Sequence, residues 1–148
     1  MKLTILFSMA ALFTGALIPI QAAANATLSK FIGSVAYSAL VLFTLGFGVV
    51  VSFILLNRVQ VPSVADFLSA PTYSYIGGII VATYVLSITF LAPRMGVGNV
   101  ICFIVTGQII MAVLIDHFGL FGAGIQNLSV SRTMGVALMI GGLFLARS

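Results

Sequence analysis

Charge is what this sequence has least of. Only 5% of its 148 residues are Asp, Glu, Lys or Arg; glutamate is absent, and Asp66 and Asp116 are the only acids. A soluble domain carries about 25% charged residues to face water. With 61% hydrophobic residues, this chain has too little polar side chain to cover a globule, so its solvent is lipid. Cysteine is nearly missing too. Cys102 stands alone in an apolar run, which excludes an intrachain disulfide and reads as a small buried apolar residue. One His, one Cys and two Asp make no evident triad or metal cluster, so an enzyme, a metal site and a cofactor are not expected. The six cations, giving a net charge of +4, are scattered one per loop or terminus and form no basic stripe, which excludes a nucleic-acid partner.

What the chain does have is long apolar runs. About 20 such residues cross the hydrocarbon of a bilayer. The runs predict an all-α, polytopic membrane protein forming a single transmembrane domain over residues 1–148, with five spans at about 3–24, 35–56, 75–92, 97–116 and 133–146. The first run follows Lys2 and precedes Ala24-Asn25-Ala26, as in a secretory signal, but it is longer than a signal core and carries Gly15 and Pro19. A retained first helix is therefore expected, with Ala11 and Gly15 as a close-packing face. Lys30 marks a loop, and Val35 to Leu56 is the clearest span. In the long connection that follows, Pro62-Ser63 and Asp66 predict a short capped interfacial helix, with Tyr73 and Tyr75 at the lipid boundary. Pro93-Arg94 reads as a tight stop before the fourth span. A Gly-rich stretch after Asp116 reads as loop or re-entrant backbone, and the last run is short for a span.

The fourth span carries the chemistry. Asn99, Thr106 and Gln108 lie inside it, and Asp116-His117 ends it. Polar groups in lipid are costly unless they face protein, a water-filled cavity or a partner. At about 100° per residue, Asn99 and Thr106 share a face and Gln108 points almost opposite. Gln108 can line a substrate cavity or hold the bundle through an interhelical hydrogen bond. A histidine beside a carboxylate, as at Asp116-His117, suits proton coupling, although adjacent side chains diverge on a helix and a cation is favoured at a helix C-terminus in any case. Gln21 and Asn25, four apart on the first helix, form a second candidate polar face or the frayed end of that helix. No acid lies near the middle of any span, which disfavours a cation antiporter built on a mid-membrane carboxylate and favours a neutral or polar substrate. No filter motif or ring-forming charge points to a channel.

Pro93-Arg94-Met95-Gly96, then Gly107-Gln108, then Asp116-His117-Phe118-Gly119-x-Phe121-Gly122, resemble the YdcZ family of small bacterial inner-membrane proteins in the drug/metabolite transporter superfamily. The likeness is close from Pro71 to Arg147 and looser through Gln21, Asn25, Gly33-Ser34 and Phe43-x-x-Gly46. It implies five spanning helices, a half-unit of the larger transporters, and an export or uptake role in the inner membrane.

With five spans, Lys2, Arg58 and Arg132 fall on one side and Lys30, Arg94 and Arg147 on the other. Orientation follows the Lys/Arg excess, and here there is none. Dual insertion and an antiparallel homodimer, or pairing with a homologous chain, are expected, because such a pair mimics the inverted repeats of larger transporters. The reading is an exporter of a small molecule working by alternating access; the alternative is a membrane subunit that scaffolds or modulates another transporter.

Overall fold

The computed structural model describes residues 2–127 and 129–146, and every element in them is helical. Arg147, counted in the charge tally above, lies outside the described residues. Six α-helices follow in order: α1 (Lys2–Ile32), α2 (Val35–Leu56), α3 (Val64–Ser69), α4 (Gly77–Met95), α5 (Val97–Phe118) and α6 (Val130–Ala146). Among the described residues four segments are long and apolar enough to cross a membrane: Leu3–Ile32, Val35–Leu56, Thr72–Met95 and Val97–Phe118. Their apolar side chains point outward. Leu12, Phe47 and Ile79 are 75%, 70% and 71% exposed, an arrangement that suits hydrocarbon and not water. The chain is thus a polytopic helical membrane protein by construction.

The chain divides into two compact units at the end of α4, one running to Arg94 and the other starting at Met95. In the first, α1 and α2 pack together. Ala22 and Ala26 of α1 and Ala39 of α2 are buried, and small side chains of this kind let helix backbones approach closely in lipid. Ser38 is fully buried and donates from Oγ to the Asn25 carbonyl at 2.9 Å, tying α2 to α1. Such a bond within a bilayer is worth about 0.6–2 kcal/mol. In α4 the buried residues are Val85, Ile88, Thr89 and Ala92, one stripe at helical spacing. In the second unit α5 packs on α6, with Phe103 edge-on to Phe144 at 5.9 Å between ring centroids.

The helix ends explain several differences from the sequence reading. The expected break at Lys30 does not occur: α1 runs 31 residues to Ile32 and stops at Gly33, whose φ of +71° suits glycine. Gln21 and Asn25 therefore sit inside a helix and not at its frayed end. Pro93-Arg94 is not a stop either, since α4 continues to Met95 and the chain turns at Gly96. Pro93 gives no N–H to the carbonyl one turn back, yet the helix runs on for two residues beyond it. The last helix begins at Val130, so Ser131, Arg132 and Thr133 join it and it reaches 17 residues. The chain leaves α2 through a Schellman turn, with Arg58 left-handed (φ 50°), its N–H on the Leu55 carbonyl (3.3 Å) and the Val59 N–H on the Ile54 carbonyl (3.0 Å).

The short capped helix expected after Pro62 is present as α3. Ser63 Oγ accepts from the Asp66 N–H at 3.3 Å, and Asp66 Oδ2 accepts from the Ser63 hydroxyl and N–H at 2.8 Å each, a complete capping box. These bonds, the hydroxyl's first and the backbone's second, hold the Asp66 carboxyl below its ordinary value of 3.8. A carboxyl whose folded pKa is depressed contributes stability above its unfolded value and loses it as pH falls through the folded one. Amide hydrogen exchange over residues 64–69 should accordingly speed up as pH is lowered through the carboxylate range, beyond the intrinsic chemical trend. Asp66→Asn should exchange fast throughout and abolish that extra pH dependence; an unchanged profile would remove the cap from the account.

Candidate functional site

Buried polar side chains gather in the first unit, in the region of α1, α2 and α4. Asn25, Ser29, Ser38 and Thr89 are all less than a tenth exposed. Ser29 donates from Oγ to the Ala26 carbonyl at 2.9 Å, and Ser38 reaches the Asn25 carbonyl, but Asn25 Nδ2 and Thr89 Oγ1 have no partner. Thr89 differs from most helical threonines, which turn back onto a carbonyl. Thr83, one and a half turns earlier on α4, donates to the Ile79 carbonyl at 2.9 Å, as Thr44 does to Leu40 at 2.8 Å. Unsatisfied polar groups in lipid cost free energy and mark functional positions. Gln21, one turn before Asn25 on α1, is half-buried.

The remaining expected residues string out along α5. Asn99 is half-buried and returns its Nδ2 to the Met95 carbonyl at 2.9 Å, and Thr106 bonds the Cys102 carbonyl at 2.8 Å. Gln108 is exposed and, among the described residues, has no hydrogen-bond partner. Asn99 and Asp116 are separated by about 26 Å along the axis at 1.5 Å per residue, so these residues do not make one cluster. Among the described residues no three His, Cys, Asp or Glu side chains come together to hold a metal.

At the end of α5, Asp116 takes Arg132 of α6 as its partner. Arg132 Nη2 donates to Asp116 Oδ2, and Nη1 donates to the Gln126 carbonyl at 3.3 Å. The Gln126 N–H in turn donates to the Asp116 carbonyl at 2.8 Å. The Gly-rich connection is thereby closed on itself by one guanidinium whose fork reaches two acceptors. Gly119 makes the turn possible: its φ is +59°, and a Cβ there would lie 2.8 Å from Ile125 Cγ1. His117 lies edge-on to Phe118 at 4.9 Å between ring centroids, with a buried Nδ1 that has no partner. Sequence reasoning named Asp116 without Arg132, because the two stand sixteen positions apart across a glycine-rich stretch. It also passed over Ser38 and Thr89, whose single hydroxyls look ordinary until their surroundings are known.

Long outward-facing apolar helices, with buried polar groups near α1, α2 and α4, define a polytopic helical membrane protein. The family model described as "Putative inner membrane exporter, YdcZ" matches residues 6–145, nearly the whole chain, and the chain belongs to that family. It is thus a multi-pass protein of the inner membrane. No curated protein and no solved structure matches it.

The Asp116–Arg132 pair is about one-third exposed on each side, and a pair of that exposure couples by about 0.2–1 kcal/mol. Asp116→Asn and Arg132→Gln should each loosen residues 119–129 in hydrogen exchange, and the double variant should be no looser than either alone. Additive effects would mean that the two residues act separately.

Proposed function

We propose that the chain exports a small, neutral or polar organic molecule by alternating access, acting as one transmembrane domain that works in pairs. Gln108 supports this most. An amide exposed on an apolar 22-residue helix, with no partner among the described residues, is costly against lipid tails and is satisfied by a water-lined path or a second copy. Gln21, Asn25 and Asn99 serve as further polar contacts to the solute, and Asp116 and His117 bear on gating or proton coupling near the headgroups. Without an acid near the middle of a span, the solute need not be a cation.

The paired arrangement uses five spans, α6 being the fifth. Its 17 residues extend about 26 Å, short of the ~30 Å hydrocarbon, and local thinning makes up the difference. The cations then divide three against three, so that the chain inserts both ways and pairs head to tail with itself or with a homologous chain.

In proteoliposomes screened with and without a pH gradient, the purified chain should move at least one uncharged polar solute, and Gln108→Leu should abolish that flux while oligomer size stays the same. Loss of the oligomer would make Gln108 structural, and full flux would remove it from the path. In a Cys102→Ser background, single cysteines in the α1–α2 connection and in the connection after α2 that holds Arg58 should each label partially from outside intact cells. One loop fully labelled with the other fully protected would mean a single orientation and end the antiparallel pair.

A further inference from the structure

The charges of the first unit do not balance. A cavity of about 350 Å³ is lined by Ser29, Lys30, Ser34, Thr89 and Arg94, among others, and so brings two cations to one opening. Among the described residues neither has a carboxylate partner. The chain owns two acids in all, and both are engaged elsewhere: Asp66 in the capping box with Ser63, and Asp116 with Arg132. Lys30 and Arg94 each stand in the last turn of a helix, where a cation is favoured by the dipole, and Arg94 gives one N–H to the Phe90 carbonyl while its guanidinium carbon lies 3.5 Å from the centroid of the Phe90 ring. That leaves most of the five guanidinium N–H groups and the whole ammonium unmatched by any protein anion.

The rest of the wall is also arranged to donate. Ser34 caps α2 with its hydroxyl oxygen, which accepts from the Tyr37 N–H at 3.3 Å, so its own O–H is left to give. α2 is a 22-residue helix, and its positive end begins at the next residue, Val35, which is also in the cavity wall. Thr89 supplies the independent sign of a ligand: it is fully buried, it belongs to the wall, and its Oγ1 has no partner.

We propose that this cavity is a binding site for a phosphate-type anion, held between Lys30 and Arg94 with the Ser34 and Thr89 hydroxyls as additional contacts. The anion is presented either by the headgroup of an anionic phospholipid or by a soluble phosphate compound; both offer the same oxygens to the same donors. A cation pair with free hydroxyls at the end of membrane helices suits such a group. The proposal is independent of the transported solute and of the paired arrangement.

The test uses the full chain purified in a zwitterionic detergent. Melting temperature and native mass spectra are recorded with phosphatidylglycerol, with phosphatidylcholine and with inorganic phosphate. The proposal expects phosphatidylglycerol or inorganic phosphate to raise the melting temperature where phosphatidylcholine does not, with binding that weakens as salt is added. Stabilisation by phosphatidylglycerol alone assigns the anion to lipid, and stabilisation by phosphate as well assigns it to a soluble compound. Lys30→Gln with Arg94→Gln should weaken the effect about tenfold or more, and Arg58→Gln, a cation outside the cavity, should leave it unchanged. Because the double variant can fail to fold, Lys30→Gln alone is measured beside it and should show a smaller loss. A wild-type protein indifferent to both anions, or a Lys30→Gln variant that binds as well as wild type, would overturn the site.

Discussion

Every peptide group of this chain that enters lipid must find its hydrogen bond inside the chain, because hydrocarbon offers none. That requirement governs the rest of the structure. It is why the described elements are all helical, and why serine and threonine hydroxyls along them turn back onto carbonyls, as Thr14, Thr44, Ser52, Thr83 and Thr106 do. Lipid removes the hydrophobic drive for helix association, so close contact of small side chains and a few polar bonds have to hold α1 to α2. Ala22, Ala26, Ala39 and the Ser38–Asn25 bond are those terms.

The same rule makes the exceptions informative. Gln108 is exposed without a partner, while Asn25 Nδ2, Thr89 Oγ1 and His117 Nδ1 are buried without one. Each is a debt that lipid does not settle. An exporter has a ready use for such groups, since a solute or the water around it can satisfy them in turn. Charges obey a stricter form of the rule. Arg132 satisfies Asp116 and the Gln126 carbonyl together, which closes the glycine-rich connection, whereas Lys30 and Arg94 face their cavity with no acid of the chain to answer them.

The helical, polytopic character was legible in the sequence, because apolar length and scarcity of charge act directly through the cost of placing backbone and polar groups in lipid. The short capped helix α3 was legible too, since Pro62-Ser63 and then Asp66 mark a helix start, while the reciprocal bonds of its cap were not. Helix ends were less so. Lys30 and Pro93 look like breakers, yet glycines three residues further on, Gly33 and Gly96, make the turns because they can adopt positive φ. The partnership of Asp116 with Arg132 and the meeting of Lys30 with Arg94 depend on how distant residues come together, which no local pattern encodes. Gln108 was singled out from its place in an apolar run, and its exposure is a property of packing alone.

Whether Gln108 faces a polar path or a second copy, and not lipid, is the point on which the account turns. In a Cys102→Ser background, Gln108→Cys in native membranes can be treated with a charged thiol reagent, with a lipid-soluble one, and with an oxidant. The account predicts reaction with the charged reagent, or a disulfide-linked pair on oxidation. Reaction with the lipid-soluble reagent alone, and no linked pair, would place position 108 against the acyl chains and contradict it.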